Sequence, residues 1–115
     1  MQVDIQTTGF PLTEELRMHI ERRLNFVFKF ANRKINRVVV RLLDDSRNFS
    51  NQHLVCRIHT VIRGAPNIIS EFRSDDLYAA IDSSIYRARK AVSKRMEKMK
   101  FNTHPYPTQL NRSRL

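Results

Sequence analysis

The chain has 115 residues, 41% hydrophobic and 28% charged, with 21 Lys and Arg against 11 Asp and Glu for a net charge of +10. That length supports a single domain with a modest core, and that composition excludes an intrinsically disordered chain. No stretch approaches the roughly 18 apolar residues of a membrane-spanning helix, and the lone Cys56 excludes an intramolecular disulfide.

In chain order, Gln2 to Thr8 alternates, with Val3, Ile5 and Thr7 opposite Asp4 and Gln6, and predicts a first strand. Gly9 and Pro11 break it. Thr13 then caps a helix whose first turn holds Glu14 and Glu15 and whose buried side is Leu16, Ile20, Leu24 and Val27, ending near Phe30 to Asn32. Arg22 and Lys29 share one flank of this helix with His19 and Phe26, and Arg23 sits nearer the apolar edge. Burial statistics favour Phe26, Phe28 and Phe30 as a cluster sealing the helix end against the sheet; a Phe26 exposed between cations and stacking on an unpaired base is the alternative.

Ile35 to Leu43 is β-branched and alternating, a second strand. Asp44 to Gln52 is the longest loop and the part expected to move most. Leu54, Cys56, Ile58, Thr60 and Ile62 alternate against Val55, Arg57, His59 and Val61 in a third strand; Gly64 to Asn67 turns the chain, and Ile68 to Arg73 is a fourth strand. From Ser74 to Phe101 a helix of about 26 residues, roughly 39 Å long, is expected. Ser74 is its predicted cap, with Asp75 and Asp76 in the first turn. Leu77, Ile81, Ile85, Ala88, Val92, Met96 and Met99 form its apolar stripe.

The order β-α-β-β-β-α gives an α+β fold with both helices packed on one face of a four-stranded mixed sheet, the first two strands parallel if they pair. The domain spans residues 1–101, and the proline-containing tail 102–115 is expected to be extended or disordered.

Charge is unevenly placed. Residues 1–82 hold 12 Lys and Arg against 10 acids, whereas residues 83–115 hold 9 against 1. On the last helix Arg87, Lys90, Lys94 and Lys98 fall within about 80° of one another beside the apolar stripe. Their like-charged i,i+3 and i,i+4 pairs cost the isolated helix very roughly 1 kcal/mol in all. Such a same-signed line implies a polyanionic partner, nucleic acid before membrane, since no Trp is present to anchor an interface.

Chemistry of other kinds finds no support. The two glycines, Gly9 and Gly64, make no phosphate loop, and His53 and His59 stand about 20 Å apart on one strand, too far to share a metal. Cys56 belongs to the apolar strand face, and Asp75 and Asp76 are accounted for by the helix start. No cofactor, small-molecule substrate or enzymatic activity is expected.

The segment DDLYAAIDSSIYRARKAVSKRMEKMK resembles the D-[LM]-Y-x-A-I-[DN] signature and following basic helix of the ribosome hibernation-promoting factor and ribosome-associated inhibitor family. LTEELRMHIERRLNFVFKF is similar to that family's first helix, and the likeness extends over about residues 1 to 100. The resemblance implies a cytoplasmic protein that occupies the mRNA and tRNA channel of the small ribosomal subunit, blocks initiation and stores ribosomes under stress, as in stationary phase. It implies contacts with ribosomal RNA phosphates from Arg23 and Lys29 on the first helix and from Arg87, Lys90, Lys94 and Lys98 on the last; Arg22 joins them from charge geometry. Asn25-Phe26-Val27-Phe28-Lys29-Phe30 departs from the family's usual Lys-x-x-[KR]-aromatic run. Direct ribosome dimerisation through the long form's C-terminal domain is not expected, and a protein monomeric off the ribosome is expected. Two other readings carry their own signals. A general double-stranded RNA-binding module shares the αβββα order but places lysines at the start of its last helix, and a module docking on an acidic protein would associate independently of RNA.

Overall fold

The computed structural model describes residues 1–45 and 51–102, the side chains of residues 100–102 excepted. Six regular elements follow the expected order: β1 (Gln2–Thr8), α1 (Glu14–Val27), β2 (Ile35–Asp44), β3 (Leu54–Ile62), β4 (Ile68–Ser74) and α2 (Leu77–Asn102). The strands lie in sequence order in one sheet. β1 runs parallel to β2 with Val3 beside Val38 and Ile5 beside Val40, and β2, β3 and β4 form an antiparallel meander. This is the mixed four-stranded α+β architecture expected from the sequence.

Strand alternation sends every second side chain to one face, and both helices cover that face. Val38, Val40, Leu42, Cys56, Ile58 and Ile62 meet Leu16, Ile20 and Leu24 of α1 and Ile81, Ile85, Ala88 and Val92 of α2 in one core. Each large side chain buried there contributes about 1.5 to 3 kcal/mol. Ala80 and Ser84 are buried as well, which widens the α2 stripe beyond the expected one. Ser84 is satisfied: its Oγ donates to the Cys56 carbonyl at 3.1 Å, and its own carbonyl accepts from Ser70 Oγ at 3.3 Å.

Thr60 differs. It is fully buried beside Val38 and Ile68, and its Oγ1 has no hydrogen-bond partner among the described residues. Thr60→Val is therefore expected to raise stability by about 1 kcal/mol, read as a higher urea midpoint; a lower midpoint would show the hydroxyl to be satisfied in solution.

The helix ends depart from expectation in two places. At the start of α2, Asp76 Oδ1 accepts from the Tyr78 and Ala79 amides at 3.0 and 3.4 Å, so Asp76 is the cap. Ser74 Oγ instead accepts from the Asp76 amide at 3.1 Å, ordering the turn before the helix. At the other helix, α1 stops at Val27, and one 3-10 turn over Lys29–Ala31 follows. The Phe28 amide still donates to Leu24 at 2.9 Å, and the Phe28 carbonyl accepts from the Ala31 amide at 3.1 Å. Thr13 caps α1 as expected, accepting from Leu16 at 3.2 Å.

The sheet's other face is open, but its charges are largely paired. Arg37 meets Asp4 at 3.3 Å, Arg57 meets Glu71 at 2.8 Å, and Arg73 reaches Glu71 and Asp45 at 3.7 and 3.6 Å. At the start of the long loop the Asp45 amide donates to the His53 carbonyl at 2.7 Å. Of the loop expected to move, Asp44 to Gln52, residues 46–50 lie outside the described residues; of the tail 102–115 expected to be extended or disordered, Asn102 is instead the last residue of α2, and residues 103–115 lie outside the described residues.

Candidate nucleic-acid interface

The two helices run the same way, since His19 meets Asp82 near their starts and Phe30 meets Arg89 further along both. These contacts identify the α1-facing flank of α2. Asp82 Oδ1 there lies within hydrogen-bond distance of His19 Nε2, at 3.0 Å, and 3.5 Å from Arg23 Nε. Tyr78 packs edge-on against the His19 ring at 4.7 Å between centroids.

The expected cationic line lies elsewhere on α2. Arg87 faces β4, where Nη1 donates to the Glu71 carbonyl at 3.2 Å and the guanidinium covers the Phe72 ring at 4.8 Å. Lys90, Lys94 and Lys98 are exposed, each about 40° further round the helix than the last. Lys90 Nζ sits 5.4 Å from the Tyr86 ring. None of these four cations forms an ion pair among the described residues.

On α1, Arg22 is exposed and lines a groove of about 400 Å³ with Glu15, Met18, His19, Arg23 and Tyr78. Lys29 is exposed in the 3-10 turn, and exposed Arg33 and Lys34 follow it, extending the basic surface beyond the residues singled out from sequence. Arg23 is the exception among the expected site residues, its charge shared with Asp82 across the helix pair. That acid lies on the other helix, far along the chain, and no local pattern joins them.

The three phenylalanines separate. Phe28 is fully buried and closes the core, whereas Phe26 is 79% and Phe30 51% exposed. The cluster expected to seal the helix end is thus a single side chain, because only Phe28 continues the Leu24 side of the helix. Phe26, Phe30 and Tyr86 form an aromatic strip between the α1 cations and the α2 line. Arg89, which sequence reasoning passed over because it falls outside that line, lies 5.3 Å over the Phe30 ring.

Other chemistry is muted. Burial pushes the Cys56 thiol up to about 12, and the Asp82 charge adds to this while a Ser84 hydrogen bond opposes it, so the thiol stays protonated near neutrality. Among the described residues no three His, Cys, Asp or Glu gather as metal ligands, and no helix is long and apolar enough to cross a membrane.

Fold and surface together define a small two-layer α+β module whose sheet face is largely charge-paired and whose helix layer carries unpaired cations beside exposed aromatics. Residues 3–100 match the model of the sigma 54 modulation protein / S30EA ribosomal protein family, and the chain belongs to that family. This is the hibernation-promoting factor family expected from the signature, a family of ribosome-associated factors and not a known enzyme class. A ribosomal subunit interface protein from Coxiella burnetii has a similar fold, with a TM-score of 0.72 at 16% identity over 84% of this chain and 99% of that one. The Protein Y N-terminal domain of Thermus thermophilus is also similar, with a TM-score of 0.67 at 20% identity over 82% and 98% of the two chains. No curated protein sequence matches the chain.

Proposed function

We propose that this protein binds the small ribosomal subunit through the cations of its helix layer and silences translation by occupying the channel used by mRNA and tRNA, without catalysis. The observation that carries this reading is the exposed line Arg87, Lys90, Lys94 and Lys98, free of carboxylate partners among the described residues, on a chain of a ribosome-associated family. A line of like charges left without counter-charges destabilises the free helix slightly and is repaid only when phosphates neutralise it. Arg22 and Lys29 supply further contacts from α1, and Arg23 supplies a weaker one. The protein then works in the cytoplasm as a ribosomal RNA-binding hibernation factor of stressed or stationary cells, monomeric when free.

Co-sedimentation with small subunits tests the reading. With about four phosphates neutralised, the binding constant is expected to fall with a log-log salt slope near 3 to 4, or at least about 30-fold for a threefold rise in salt. A protein that sediments free of subunits at low salt would remove the proposal.

A further inference from the structure

We propose that the cleft between the end of α1 and the middle of α2 is a stacking site for one unpaired base of the bound RNA. The inference rests on the RNA-binding reading above and assigns a second kind of contact to it.

Phe26, Phe30 and Tyr86 are 79%, 51% and 59% exposed, and all three line one open cleft of about 610 Å³ together with Val27, Lys29 and Arg89. Three aromatic rings brought together from α1, the 3-10 turn and α2 and left in water are not explained by folding, because Phe28 already closes the core beneath them. The cleft is within the size range of small-ligand sites, and every charged group lining it is a cation. Arg89 lies over one face of Phe30 and Lys90 over one face of Tyr86, at 5.3 and 5.4 Å, while the Phe26 ring, the most exposed of the three, carries no such cation among the described residues.

Exposed aromatic rings in a cleft whose only charged lining groups are cations suit a planar base whose own phosphates reach Lys29 on one side and Lys90 on the other. A paired base does not qualify, since both its faces are covered by neighbours in the duplex. An acidic protein segment could meet the cations, but it offers nothing planar for three rings, and the flanking lines of Arg22 with Lys29 and of Lys90 with Lys94 continue the phosphate track in both directions.

The test uses the full chain and a ten-nucleotide single-stranded RNA carrying 2-aminopurine, whose fluorescence is quenched on stacking, at low salt. Wild-type protein is expected to quench the probe. Phe26→Ala with Tyr86→Ala should abolish quenching and weaken binding about 5- to 150-fold with an unchanged salt slope. Phe26→Tyr with Tyr86→Phe keeps the π faces and should behave as wild type, which separates stacking from any loss of fold. Quenching retained by the double alanine variant overturns the stacking site while leaving the RNA reading in place. Failure of the wild-type protein to bind either the probe or small subunits removes the RNA reading first. Ribonuclease-resistant capture of a protein, or self-association lost in the alanine variant, would assign the strip to a protein contact instead.

Discussion

Replacing Lys90 and Lys94 together by glutamate is expected to abolish co-sedimentation with small ribosomal subunits at physiological salt and to relieve inhibition of cell-free translation, with the urea midpoint unchanged. Both side chains are exposed, and neither forms an ion pair among the described residues, so no buried partner is stranded by the change. Locally the changes nearly cancel: the two new carboxylates would face Arg87 and Lys98 at helical spacing, a gain of a few tenths of a kcal/mol each, while their repulsion of one another and of Glu97 costs a similar amount. The loss to Tyr86 is one exposed cation–π contact. Binding behaves otherwise. Deleting two phosphate contacts alone costs about 30-fold in affinity near 0.15 M salt and lowers the salt slope by about 2, and reversing their sign costs more on both counts. Unchanged sedimentation with an unchanged slope would move the interface off α2.

The largest loss of stability is expected at Phe28. Its ring is fully buried, and its backbone joins the last α-helical turn to the 3-10 turn through hydrogen bonds on both sides. Phe28→Ala leaves a cavity among well-packed neighbours, and such truncations cost about 3 to 5 kcal/mol out of a total of about 5 to 15. The variant should unfold at markedly lower urea and melt at least about 12 °C lower. Phe26→Ala, two residues earlier and 79% exposed, should shift the same curves by no more than about 0.5 kcal/mol. Equal effects from the two substitutions would mean that the ring buried under the sheet is not the one described.

That pair of residues also shows what the sequence reveals and what it hides. Alternation along Ile35 to Leu43 and the stripe from Ile81 to Val92 are strong periodic signals, and elements and core follow from them. Phe26 and Phe28 look alike by composition, and the distinguishing signal is angular: at 100° per residue Phe28 lies about 40° from Leu24, while Phe26 lies about 200° away on the polar side. The cap of α2 has no such signal, because Ser74, Asp75 and Asp76 are all good caps and only the chain's exit from β4 selects Asp76. Which cations are free is hidden altogether. Arg23 and Arg22 are neighbours in sequence, yet one faces Asp82 across the helix pair and the other faces solvent.

Because the two helices run the same way, their positive ends lie on one side of the molecule, and both are already occupied by the chain's own oxygens. Asp76 fills the start of α2, and Thr13 with Glu14 and Glu15 fills the start of α1. A helix end that would otherwise cradle a single phosphate is thereby plugged. On the proposed function the molecule meets its RNA broadside, along the barrels of its helices. Grip of that kind grows with the length of polymer laid against it, so a long folded backbone is held where an isolated phosphate finds no pocket to enter.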